Sequence, residues 1–240
     1  MKKTFFIAGS FLILSAFSLH ADWLDQAKGA TETLLEPLTR DIGAVLGGGL
    51  YGNTGPRGFP GVDVGLRAAV AKVSEDNTIV AESNIGGLWA LGEVGLPGGI
   101  DIFARGFSVK PADAEQNLTL MGIGVRYNFL KDMVISPIPG LCGIAAVNKI
   151  SVTDVEFTTL TVGVVASKKI LFIAPYAGLA LDQTTGKIKN QILGTLEPQT
   201  TESRIVAGLQ IRPLPLLYLH GGISITGGNT GIEIGAGLRI

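Results

Sequence analysis

The amino-acid sequence predicts an all-β chain: an antiparallel transmembrane β-barrel of about ten strands, with eight to twelve as the range, behind a short N-terminal helix. Three observations lead there. Residues 200–240 alternate with a period of two, and in the last run Ile232, Ile234, Ala236, Leu238 and Ile240 oppose Glu233, Gly235, Gly237 and Arg239. Successive strand side chains point to opposite faces, so this is one apolar wall and one polar or glycine wall. Second, charges inside such runs share a face: Asp63 with Arg67, Asp101 with Arg105, Glu202 with Arg204 and Arg212, Glu233 with Arg239. A lysine or arginine facing lipid at the bilayer midplane costs about 2–4 kcal/mol, so strand charges belong inside a barrel. Third, residues 1–21 carry Lys2 and Lys3, an apolar run from Phe5 to Leu19, and Ala21 before Asp22, the parts of a cleaved secretory signal. That run is shorter than the ~20 residues a membrane helix needs.

Composition agrees with one domain of this kind. Thirty-four glycines in 240 residues are about twice the usual share, and the 16% of charged residues is well below the usual ~25%. Net charge is −1 with scattered basic residues, which gives no footprint for nucleic acid. A single cysteine, Cys142, excludes an internal disulfide and a CxxC metal or redox site; its role is packing. No cofactor and no metal ligand cluster is implied.

Taken in order, residues 22–38 read as an amphipathic helix or plug, with Trp23, Ala27, Ala30, Leu34 and Leu38 at helical spacing, ending at or before Pro37. It could close a barrel from the periplasmic side or lie at the membrane interface. The barrel is expected over 39–240. DIGAVLGGGLYG (41–52) and VDVGLRAAVAKV (62–73) read as a hairpin around the turn-rich NTGPRGFPG. Residues 75–99 read as a long connection, with room for two further strands. IDIFARGF puts Asp101, Phe103, Arg105 and Phe107 on one side. From Leu118 to Leu130, Met121, Ile123, Val125, Tyr127 and Phe129 oppose Gly122, Gly124, Arg126 and Asn128, with the aromatics at one end as an interfacial girdle requires. Strands are expected near 141–151, 155–167 and 170–182, with Pro175 marking a poorly paired site. Residues 184–199 read as an exposed loop, and three strands close the chain. Loops 52–60, 109–117 and 184–199 form the expected contact surface. With the C-terminus in the periplasm, Lys168-Lys169 and the PLPL segment become short inner turns.

Four phrases, LLEPLTRDIGAVLGGGLYG, GLPGGIDIFARG, FTTLTVGVVASKKILFIAPYAGLALD and GGNTGIEIGAGLRI, resemble a bacterial family of unknown function expected to form outer-membrane barrels. That family is distantly similar to the outer-membrane long-chain fatty-acid transporters. The resemblance implies an outer-membrane location after signal cleavage and an N-terminal segment inside or beneath the barrel; it supplies no catalytic residues. Outer-membrane barrels commonly end in an aromatic that the assembly machinery reads, and Ile240 departs from that pattern.

Two readings of the inward charges are open. They form a structural lattice in which acids and arginines satisfy one another, or they orient a ligand, with Arg67, Asp101, Phe103, Arg105, Phe107, Arg126, Arg204, His220 and Glu233 as candidates. Arg105 and Arg126 suit a carboxylate, and Phe103 with Phe107 suit an acyl chain. His220 shares its face with Ser224, but four strand residues span ~13 Å, too far for a nucleophile and its base. A Glu233–His220 pair is possible, and no GxSxG or phosphate loop accompanies it. The expected function is passage or capture of a small molecule, with a hydrophobic ligand as the candidate and membrane lipid and the assembly machinery as partners. A non-transporting structural or surface-interaction barrel is the alternative; a membrane lipid hydrolase and a secreted soluble β-sandwich are further ones.

Overall fold

The computed structural model describes residues 22–109, 117–132, 137–190 and 193–240. The signal segment 1–21 and most of the expected loop 109–117 lie outside these. Two helices, α1 (Asp22–Gly29) and α2 (Glu32–Leu46), precede eleven described strands. The strands are β1 (Val62–Lys72), β2 (Asn84–Leu96), β3 (Ile100–Val109), β4 (Leu118–Leu130), β5 (Gly140–Val152) and β6 (Val155–Ser167). After them come β7 (Ile173–Asn190), β8 (Gly194–Leu196), β9 (Gln199–Ile211), β10 (Leu217–Thr226) and β11 (Asn229–Arg239). Every pairing is antiparallel. β1 pairs with β11 and β6 with β7, so ten strands close into a ring and leave no edge, while the short β8 extends the far end of β7. Among the described residues no helix is long and apolar enough to cross a membrane.

The two-residue period decides what faces where. Outside stand Val64, Leu66, Ile102, Ile123, Val162, Leu179, Ile205, Ile223, Ile232 and Leu238, all exposed. Inside stand Asp63, Arg67, Glu93, Asp101, Arg105, Arg126, Asp182, Arg204, His220 and Glu233, all buried. A soluble sandwich would turn Ile232, Ile234 and Leu238 onto a core; here they look outward from a closed wall. Outward Lys72, Lys149, Glu156, Lys187 and Lys189 stand toward the end of the barrel away from the C-terminus. That end is called the far end below; the other, where Val62 and Ile240 exchange two backbone hydrogen bonds at 2.8 Å, is the terminal end.

Four sequence expectations change. Residues 41–46 are the last turns of α2, because Leu35, Leu38, Ile42 and Val45 continue one apolar stripe that buries against the barrel interior. That burial outweighs the single backbone bond lost at Pro37, which lies within the helix. Residues 47–61 are therefore not a hairpin but a segment running down the lumen. Of 75–99, residues 75–83 belong to a connection that begins at residue 73, β2 takes 84–96, pairing with β1 and β3, and Pro97–Gly99 is the tight turn into β3. Residues 184–190 are strand, since Thr184, Gly186, Ile188 and Asn190 face inward while the polar residues that suggested a loop face outward. The β6 ladder ends at Ser167 opposite Tyr176, so the N–H that Pro175 lacks falls where that partner stops.

The facing has a direct test. Val162→Arg or Leu238→Arg should abolish the compact, heat-modifiable species in detergent, whereas Thr230→Arg, near the far-end turn, should leave it formed. Gel mobility before and after boiling checks this, and equal tolerance at all three positions would contradict the assignment.

Candidate functional site

The lumen is occupied by the chain's own N-terminal segment. Helix α2 enters from the far end, where Asp41, fully buried, accepts from the Ser74 backbone N–H (3.0 Å), Asn77 Nδ2 (2.7 Å) and Asn229 Nδ2 (3.1 Å). These bonds tie the helix to the 73–83 connection and the β10–β11 turn. Beside it Arg40 donates to Ser74 Oγ (3.2 Å) and to Asp76, and the Arg40 hydrogen bond holds the Asp76 carboxyl below its usual range.

A helix ends on four carbonyls without intrahelical partners and on the negative end of its dipole. Here the wall supplies cations. Arg204 donates from Nη2 to the Ala44 carbonyl (2.8 Å), and Arg105 donates to the Leu46 and Gly48 carbonyls, the latter at 2.6 Å. Lower down, Arg126 donates to the Leu50 carbonyl. The approach needs glycine: a Cβ on Gly47 would lie 2.6 Å from both Asp182 carboxyl oxygens, and Gly49 has φ +70. Below that, Gln210 Oε1 accepts from the Asn53 N–H (3.2 Å), and Ser167 Oγ meets the Thr54 N–H (2.8 Å) and Oγ1 (2.7 Å).

At the terminal end the sense of charge reverses, with the wall providing acids and the segment the cation. Arg57 pairs with Asp63 (3.1 Å) and Glu93 (2.9 Å), and its backbone N–H donates to Asp101 (3.0 Å). Asp63 also accepts from Tyr218 (2.6 Å) and Arg239 (3.2 Å), and Asn128 donates to Asp101 at 3.1 Å.

Each expected site residue can now be placed. Arg105, Arg126, Arg204 and Asp101 are engaged with the segment. Arg204 also pairs with Asp182 (2.7 Å) and Glu233 (3.5 Å). Arg67 stacks on Tyr218, 5.1 Å from the ring centre, and donates to its hydroxyl at 3.1 Å. His220 Nδ1 lies 3.4 Å from the Tyr176 hydroxyl, and a Cβ at Gly235 would stand 2.3 Å from His220 Nε2 and 2.6 Å from Arg67 Nη1. Glu233 lies opposite Gly222, diagonal to His220, but its carboxylate pairs with Arg204. Phe103 packs on Gly124 beneath the Arg126 guanidinium, 5.4 Å away. The same-strand pairs Asp63–Arg67 and Asp101–Arg105 do not form, because i and i+4 on a strand are ~13 Å apart and the true partners sit on neighbouring strands or the lumen segment. Among the described residues no group of His, Cys, Asp and Glu is placed to hold a metal.

Phe107 belongs to a different environment. With Ile85, Leu118, Leu120 and Ile150 from the wall, and Trp23, Leu38, Ile42 and Val45 from the helices, it bounds a narrow apolar crevice at the far end, ≈ 40 Å³ in volume. Two residues deeper on the same faces, outside its lining, lie Arg105 and Asn148, joined at 2.8 Å, with Arg105 stacked 4.4 Å above Trp89. Sequence reasoning missed Arg57, Trp89, Asn148 and the crevice. Its one available signal was the interior face of β3 and β4, which turns from Asp101 and Arg126 to Phe107 and Leu120 along the strands.

Fold and site together define a ten-stranded antiparallel β-barrel whose lumen is filled by its own N-terminal segment. Residues 90–240 match the model of a family of unknown function, DUF6588, and the chain belongs to that family. No curated protein matches it in sequence. Among solved structures, Ail, the attachment invasion locus protein of Yersinia pestis, is 14% identical over 76% of this chain and all of its own (TM-score 0.38). The N-terminal β-barrel domain of Pseudomonas aeruginosa OprF is 14% identical over 74% of this chain and 97% of its own (TM-score 0.38). The translocator domain of the Neisseria meningitidis autotransporter NalP is 14% identical over 82% of this chain and 92% of its own (TM-score 0.35).

Two measurements test the lattice. Arg57→Met leaves Glu93 and Asp63 buried with a cation removed, which should cost about 3–5 kcal/mol; adding Glu93→Gln should recover part of the loss, and thermal unfolding in detergent reads both. The Asp76 carboxyl is depressed in the folded chain, so its tie to Arg40 is present above the unfolded value and lost as pH falls through the folded one. Amide protection in 73–83, taken relative to the intrinsic exchange rate at each pH, should therefore fall on acidification below about pH 4, while Asp76→Asn should show the low protection at neutral pH already.

Proposed function

We propose that the protein, freed of residues 1–21, is an outer-membrane β-barrel that captures a small hydrophobic molecule in the crevice between its plug helix and the wall. The observation that carries this reading is the crevice itself. Inside the wall, apolar side chains gather at two levels, around Leu50 and Tyr51 in mid-lumen and around α1 and α2 at the far end, and the crevice opens in the second, where α1, α2 and β2–β5 meet. Small-molecule sites are concave and mostly apolar; the lining here is apolar throughout, and its ≈ 40 Å³ would widen for a ligand as α2 shifts. The outward belt of aliphatic side chains supports the membrane location, and the period-two C-terminal strand is the part the barrel assembly machinery would engage.

Capture comes before passage in this reading. Nothing crosses while residues 47–61 fill the lumen, so transport requires the segment to shift, and the crevice lies against the helix that would move. The filled lumen also favours the second reading, a barrel that transports nothing and acts through its far-end loops. Binding separates the two. The folded barrel in a non-quenching detergent should raise the emission of an apolar fluorescent probe, and Leu120→Trp or Ile150→Trp, which fill the crevice, should lower probe affinity about tenfold or more, as loss of a well-buried apolar contact implies. Unaltered affinity in both variants, with the barrel still heat-modifiable, would remove the crevice as the site.

A further inference from the structure

The apolar exterior does not stop where the strands stop. The β6–β7 turn (168–172) carries Ile170, Leu171 and Phe172, and the β9–β10 turn (212–216) carries Leu214 and Leu216, all more than half exposed and Leu171 81% exposed. The turns are neighbours: the Arg212 N–H donates to the Phe172 carbonyl at 2.8 Å, and Ile173 pairs with Ile211. Together they form a ledge at the terminal end.

We propose that this ledge is a lipid contact, seated at the edge of the membrane's hydrocarbon layer, and not a pair of water-exposed inner turns. The proposal rests on the outer-membrane reading above. Wall height argues for it first. On β6 the outward residues are apolar from Leu160 to Ala166, and on β9 from Ile205 to Ile211, with Thr158 and Ser203 next toward the far end. Seven residues at ~3.3 Å each give ~23 Å along a strand, and a tilt of 35–45° leaves ~17 Å of height against an apolar band of ~25 Å. The shortfall is local to β6 and β9, since β7 and β10 carry outward apolar or glycine residues over nine positions each, Ile173–Leu181 and Leu217–Ile225, and the ledge continues the apolar surface beyond Lys168 and Lys169 on one turn and Arg212 on the other.

Backbone geometry argues for it second. Leu171 has φ +57, a left-handed conformation that favours glycine or asparagine. A leucine stands there with its side chain pointing away from the protein, so the fold gains nothing from it and only an external apolar medium does. The turns also hide their donors. Ile170 N–H bonds the Ile173 carbonyl at 2.7 Å, Lys168 N–H the Pro175 carbonyl at 3.2 Å, and Lys169 N–H the Asp132 carboxylate, while Pro213 and Pro215 have no N–H to expose. Lys168, a charged residue between the β6 belt and the ledge, is paired with Asp132 at 2.7 Å.

The experiment uses the full barrel in phosphatidylcholine vesicles, with Cys142→Ala as background and an environment-sensitive dye at one introduced cysteine. Leu171→Cys and Leu214→Cys report the ledge, Val162→Cys the belt and Glu75→Cys the far-end connection. Lipids brominated in their acyl chains should quench the dye at 171 and 214 nearly as strongly as at 162, and aqueous iodide should quench only the dye at 75. Iodide quenching at 171 and 214, with 162 still quenched by bromolipid, would overturn the ledge and leave the membrane reading standing. Protection of 171 and 214 from both quenchers would mean that protein covers them and would overturn it equally. Failure of bromolipid to quench at 162 would end the membrane reading and this one with it.

Discussion

The structure depends on charge neutralisation inside a space that excludes water. Barrels of about eight strands are filled by their own side chains, but ten enclose a wider lumen, and this wall lines it with five arginines, at 67, 105, 126, 204 and 239, and with acids at 63, 93, 101, 182 and 233. Buried charges survive only when paired or hydrogen-bonded. The wall achieves part of this alone, as at Arg204–Asp182. The N-terminal segment provides the rest, giving carbonyl oxygens to the mid-lumen arginines and one guanidinium, Arg57, to the acids of the terminal end.

This arrangement makes plug and wall conditional on each other. Withdrawing residues 43–57 would leave Arg105 only Asn148, Arg126 only Glu93 at 3.7 Å, and Glu93 without its nearest cation, so the segment is held by polar bonds along its length and by apolar packing at its top and around Leu50 and Tyr51. The difference matters for function. A ligand wedged between α2 and Phe107, Leu120 and Ile150 would act at the far end, where the apolar grip is joined by the Arg40–Asp76 ion pair and the hydrogen bonds of Asp41, and the polar lattice beneath would keep the lumen closed until it too gave way. Because β1 begins at the terminal end while α1 lies at the far end, the chain runs the length of the lumen ahead of β1, and the β1–β11 seam encloses that segment.

The wall was legible in the sequence because its rule is local. Period-two alternation assigned the facing of Val62–Val70, Met121–Phe129 and Ile232–Leu238, and it placed Asp101, Phe103 and Arg105 in the lumen. The segment was illegible for an equally physical reason. Residues 41–52 contain glycines and aliphatics that satisfy a strand pattern as well as a helix pattern, and only the interior of a barrel distinguishes them. The strand total of ten came out through compensation: 41–52 is not a strand, and 84–96 is one. The partners of Arg105 and Arg126 left no sequence trace at all, since main-chain carbonyls of a distant segment carry no residue signature.

The most direct test of the central claim is a crosslink between segment and wall. Thr54 and Ser167 hold their hydroxyl oxygens 2.7 Å apart although 113 residues separate them. In a Cys142→Ala background, Thr54→Cys with Ser167→Cys should form a disulfide nearly completely under mild oxidation of the folded, membrane-inserted barrel. A barrel that is folded and heat-modifiable yet leaves both thiols free would show that residues 47–61 do not run down the lumen, and the account of its charges would fail.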